Sequence, residues 1–126
     1  MNKLSFEKLV QHALQRLPRK FSKRLKNISI EVEDNPSPEI LADMGIEHGT
    51  LFGLYQGIPL PERDWNFGNV LPDRIVIYQR PIEAAARSSE EIEEIVLDTV
   101  MHEIGHYFGF DDDELYEIED GKKGRG

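Results

Sequence analysis

Residues 88–112 read SSEEIEEIVLDTVMHEIGHYFGFDD. Ser88 with Glu91 three residues on is a capping-box signature at a helix start. From there Ile92, Ile95, Val96, Thr99, Val100, Glu103 and Tyr107 recur at helical spacing along one expected core face, with Leu97, Met101 and Ile104 on its flank. Gly109 is placed to end the segment, so the pattern predicts a helix over 89–108. Inside it stands HExxH, His102 to His106. Residues four apart are neighbours on a helix surface, so both imidazoles project together and can hold one ion. By helical angle the two histidines border the core-facing side. Glu103 is turned away from them by one residue step, which suits a base acting on a metal-bound water rather than a ligand.

The chain has no cysteine, which excludes disulfides, thiolate zinc sites and cysteine nucleophiles and leaves nitrogen and oxygen as metal donors. A catalytic zinc takes three protein ligands and a water. Gly109 permits the chain to turn back after the helix, and that turn favours Asp112 as third ligand, with Asp111, Asp113 and Glu114 as competitors. Zinc suits two imidazoles and a carboxylate. Weaker candidates are Tyr55, Tyr78 and Tyr107 as hydrogen-bond donors to an oxyanion, with Tyr107 held by the core stripe. Trp65 is a candidate wall of a substrate groove, His48 a group on the substrate side, and Asp98 a partner behind His102.

The whole chain, 126 residues with 39% hydrophobic and 31% charged residues, suits one soluble globular domain, residues 1–126, with 121–126 expected as a flexible tail. Phe6, Leu9, Val10, Ala13, Leu14 and Leu17 form an amphipathic helix, with Ser5 as the candidate cap and Pro18 as the stop. Ile28, Ile30 and Val32 alternate with polar residues as a half-buried strand. Residues 39–44 suit a short helix ended by Gly45. Residues 50–56 and 74–79 read as two further strands, the last stopped by Pro81. The connection 57–71 is long enough to be a lid or binding loop. The expected fold is α+β: two main helices packed on a small mixed sheet of three or four strands, the active-site helix near the C-terminus.

Charge is unevenly placed. Residues 1–26 carry eight Lys or Arg against one acid, Glu7, a local +7 that leaves −16 on the remainder of a chain whose net charge is −9. An acidic whole argues against non-specific nucleic-acid binding, while the basic segment calls for an acidic partner or an acidic face of the same molecule. No apolar run is long enough for a membrane helix and none marks a signal peptide. The expected location is therefore the cytoplasm, and the expected state a monomer.

The string HExxHxxGxxD, His102 to Asp112, resembles the extended zinc motif of the metzincin peptidases in its aspartate variant. The chain is more similar still to the small bacterial zincin-like metallopeptidases, or minimal zincins. That likeness takes in Leu54-Tyr55-Gln56-Gly57-Ile58-Pro59-Leu60, then residues 71–78 and His102 to Asp113. It implies a zinc-dependent metallopeptidase with His102, His106 and Asp112 as ligands, Glu103 as catalytic base and a peptide substrate of unknown identity. None of residues 113–126 is Met, so the methionine turn of the larger metzincins has no counterpart. Two rival readings stand beside it: a catalytically silent zinc-binding interaction protein, and a metal-dependent hydrolase of RNA. The RNA reading draws on a ribosomal-RNA maturation family with His-x₃-His-x₅-His spacing and on the basic stretch Lys3 to Lys26. That family lacks the glutamate that stands here as Glu103.

Overall fold

The computed structural model describes residues 1–46, 50–57 and 73–108. His48, Trp65, Gly109, Asp112 with its acidic neighbours, and the tail 121–126 lie outside the described residues. Helix α1 (Lys3–Gln15) begins one residue after Asn2, whose side chain accepts from the Ser5 N–H at 2.8 Å. Asn2, not Ser5, is therefore the cap; Ser5 occupies the first turn and supplies the donor. Two short basic elements follow, α2 (Arg19–Ser22) and a 3-10 turn (Lys23–Asn27), which lead into β1 (Ile28–Glu33). Helix α3 (Pro38–Asp43) is capped by Ser37 and followed by Gly45 at φ +73°, a backbone setting that glycine adopts without strain. The strand expected over 50–56 is shorter, β2 (Gly53–Gln56), and β3 spans Asp73–Tyr78.

Pro81 does not simply stop the chain after β3. It is the third residue of α4 (Gln79–Ala85), where the missing N–H falls among amides that have no partner within a helix anyway. Helix α5 (Ser89–Phe108) matches the expected span. Ser88 Oγ accepts from the Glu91 N–H at 3.2 Å, and Glu91 reaches back to the N–H of Arg87 at 2.6 Å, one residue beyond the usual capping-box target.

The fold is α+β, as expected. Among the described residues the sheet is three-stranded and mixed, in the order β1-β3-β2. β1 runs parallel to β3 and β2 antiparallel to it, with Ile30 opposite Ile75 and Tyr55 opposite Ile75 on the other side. Side chains alternate along each strand, so Ile28, Ile30, Val32, Tyr55, Ile75 and Ile77 share the face that joins α1 and α5 in the core. Phe6, Val10 and Ala13 of α1, with Phe21, meet Ile92, Val96, Leu97, Val100, Met101 and Ile104 of α5 there. Each such large apolar side chain taken out of water contributes about 1.5–3 kcal/mol.

The buried stripe of α5 is thus rotated from the expected one. Leu97, Met101 and Ile104 are central rather than flanking, while Ile95, Thr99 and Glu103 are only half-buried. The basic N-terminal segment finds part of its acidic counterpart within the molecule: Arg16 pairs with Glu94, and His12 lies 3.6 Å from Glu93.

Candidate active site

The site is built where α5 runs alongside β2. Tyr78 N donates to Phe52 O at 2.9 Å, so Phe52 and Tyr78 form a hydrogen-bonded pair of the antiparallel ladder. By alternation, the N–H and C=O of Gly53 and Tyr55 then point away from β3. Three rungs join this strand to the helix. A Cβ on Gly53 would stand 2.6 Å from Thr99 Cγ2. The Tyr55 N–H donates to Glu103 Oε1 at 2.8 Å. A Cβ on Gly57 would stand 2.8 Å from Tyr107 Cε2. The strand advances two residues per rung and the helix four. Two strand residues rise about 6.6 Å and four helical residues about 6 Å, so strand and helix keep step in the same direction. Glycine at 53 lets the helix approach closely enough for the Glu103 carboxylate, four residues after Thr99, to reach the outward-facing amide of Tyr55.

His102 and His106 lie on the neighbouring flank of α5, their ring centroids 6.3 Å apart and the rings inclined at 30°. Both are exposed, which corrects the expectation that they border the core; the rotation of the buried stripe toward Leu97, Met101 and Ile104 turns them outward. With zinc about 2 Å from each nitrogen in a tetrahedral site, the centroids would stand about 5 Å apart. A modest rotation of these surface rings closes that gap, and the donor set of two imidazoles suits zinc. Among the described residues no third His, Cys, Asp or Glu joins them in a metal-holding group; Asp111 to Glu114 lie outside those residues.

The tyrosines divide. Tyr55 is at the site through its backbone, and its ring stacks on Tyr107 with centroids 3.9 Å apart and planes at 15°. Tyr107 is 43% exposed rather than held in the core, because α5 reaches there beyond the end of β2. Tyr78 is completely buried on the sheet face opposite Ile75 and Ile77, away from α5. The period of two that puts Ile77 in the main core puts Tyr78 on the far side, so its hydroxyl does not come to Glu103. Burial pushes the Tyr78 hydroxyl pKa up, the Glu33 charge adding to the effect and Arg74 opposing it.

Beside the helix end opens a cleft of about 390 Å³ that the sequence did not announce. Lys23, Arg24 and Lys26 border it from the basic turn, and Tyr55, Tyr107 and Phe108 form aromatic wall. Asp73 also lines it, 7% exposed, its carboxylate accepting from the Tyr55 hydroxyl at 2.7 Å. The Arg24 guanidinium lies over the Phe108 ring, 4.9 Å from its centroid. The signal present in the sequence was the unexplained basic run before β1; what it lacked was the aromatic pair that the β2–α5 register brings to meet it.

The sequence family described as zincin-like metallopeptidase matches residues 25–122, a span that begins at the basic turn, earlier than the likeness that starts at Leu54. No curated protein matches the chain at a significant level. Among solved structures, a conserved hypothetical protein from Thermo thermophilus is similar in fold, with a TM-score of 0.54 and 21% identity over 86% of this chain and 94% of that one.

Proposed function

We propose that this chain, which belongs to the zincin-like metallopeptidase family, hydrolyses peptide bonds with zinc held by His102, His106 and Asp112 and with Glu103 as general base. The observation that supports this best is the placement of a carboxylate at the margin of a sheet, beside two outward imidazoles on the same helix. Zinc, when bound, supplies Lewis acidity and lowers the pKa of a coordinated water. The chain's own residues do the rest. Glu103 Oε1 is held by the Tyr55 amide, which orients the carboxylate and leaves its second oxygen to take a proton from the attacking water and return it to the leaving amine. β2 pairs only with β3 among the described residues, and with the Tyr55 N–H held by Glu103 it is the outward N–H and C=O of Gly53 that offer an extended peptide a strand to lie against. Asp112 is assigned as third ligand from the HExxHxxGxxD spacing.

The test is a pair of variants measured for zinc content and for hydrolysis of a mixed peptide library. Glu103→Ala should keep stoichiometric zinc and lose hydrolysis by about a hundredfold or more, and His102→Ala should lose both. Undiminished hydrolysis by Glu103→Ala would remove the mechanism. Stoichiometric zinc with no turnover of any peptide by the unaltered chain would favour the silent zinc-binding protein.

A further inference from the structure

The basic cleft beside α5 has no part in the proposed chemistry. We infer that it is the substrate's acidic subsite: it takes an Asp or Glu side chain of the peptide, close to the scissile bond. This rests on the hydrolytic reading above and adds a substrate class to it. Tyr55 connects the two places, since its amide holds Glu103 and its ring lines the cleft. The cleft is therefore separated from the Glu103 carboxylate by the length of one tyrosine residue, backbone amide to ring.

The lining sets what enters. Lys23, Arg24 and Lys26 border the mouth, and Lys23 and Lys26 form no ion pair among the described residues. The opposing charge, Asp73, is nearly buried and already accepts from the Tyr55 hydroxyl. Among the described residues the mouth is therefore cationic and the wall aromatic: a carboxylate meets the Lys23 and Lys26 ammonium groups while its methylenes lie on the Tyr55–Tyr107 pair. The volume is at the small end for ligand pockets and suits one or two side chains. A nucleic acid fits less well. Its phosphates recur along the backbone and call for an extended basic track, whereas this patch is local on a chain of net charge −9.

The experiment uses the zinc-loaded full chain and fluorescent peptides identical but for one Glu, Gln or Lys, read by anisotropy and by cleavage, with a single-stranded RNA oligonucleotide as comparison. The Glu peptide should bind about five- to tenfold more tightly than the Gln peptide, as expected for two or three partly solvated charge contacts, and the Lys peptide more weakly than either. Lys23→Gln with Lys26→Gln should bring the Glu peptide close to the Gln level, with an unchanged far-ultraviolet circular dichroism spectrum. Equal binding of Glu and Gln peptides, a Glu preference that survives the double substitution, or tighter binding of the RNA would each overturn the inference. Selective binding without cleavage would uphold the subsite and remove the hydrolytic reading. Cleavage without acidic preference would do the reverse.

Discussion

Gly53→Ala is the most demanding test of how the site is assembled. The new methyl would lie 2.6 Å from Thr99 Cγ2, 3.0 Å from the Val76 carbonyl oxygen and 3.4 Å from Ile77 Cδ1. Thr99 cannot swing away cheaply, because its hydroxyl donates to the Ile95 carbonyl at 2.6 Å, and the Val76 oxygen belongs to the central strand. Restoring ordinary carbon–carbon contact of about 3.5 Å asks α5 to withdraw from β2 by close to 1 Å. That withdrawal would stretch the 2.8 Å bond from Tyr55 N to Glu103 Oε1 beyond useful hydrogen-bond length. Overpacking of this kind costs about 1–3 kcal/mol, and the lost bond to a carboxylate adds to it. The expected total of about 3 kcal/mol lowers the melting temperature by on the order of 10 °C for a chain of this size. Urea unfolding of Gly53→Ala, Thr99→Ser and the double variant measures it, since serine removes the clashing methyl and keeps the hydroxyl. The double variant should recover about half of the loss, a coupling that two independent sites would not show. A Gly53→Ala protein within about 0.5 kcal/mol of the parent, or a double variant no better than the single one, would refute the close-approach argument.

Gly57→Ala should behave differently although its contacts are almost as short. The new methyl would meet the ends of the Tyr107 and Tyr55 rings at 2.8–2.9 Å, and Tyr107 is exposed enough to move. Stability should change by less than about 1 kcal/mol, while the near-ultraviolet circular dichroism of the stacked pair changes; an unaltered spectrum would count against the stack. Tyr78→Phe should stabilise the protein by about 1 kcal/mol, because the Tyr78 hydroxyl is buried with no hydrogen-bond partner among the described residues. Burial raises its folded pKa above the ordinary value of 10.0, so the unfolded chain ionises first. Stability is therefore full below pH 10 and falls as pH rises beyond it toward the folded value. Chemical unfolding across pH 8–11 should show this alkaline decline shallower in Tyr78→Phe, and an identical slope would contradict the assignment.

Much of this arrangement was legible in the residues, and the misses have physical causes. The strand alternation of Ile28 to Val32 and the long periodicity of Ile92 to Ile104 carried two main elements and the α+β class, because burial imposes those periods directly. The centre of the buried stripe on α5 was misplaced, because Ile95 and Thr99 suit a core face as well as Leu97 and Met101 do. Only the packing of α1 against α5 decides between them. Helix α4 was missed because Pro81 signals a stop from within a strand and a permitted first turn from within a helix. HExxH could be read from spacing, since four residues on a helix face is a local fact. The bond from Tyr55 to Glu103 could not, because it joins residues 48 apart in sequence, and neither glycine at 53 or 57 announces which helix it admits.

That bond also bears on how the protein behaves in concentrated solution. An unpaired amide at a sheet margin is a template on which another molecule's strand can add, and proteins commonly blunt such margins with charge. Glu103 does so at Tyr55 with the same carboxylate that is proposed as the base. Removing it to obtain an inert protein for trapping ligands therefore also uncovers a backbone donor. Glu103→Gln, whose amide oxygen can still accept from Tyr55, is the variant better suited to crystallisation.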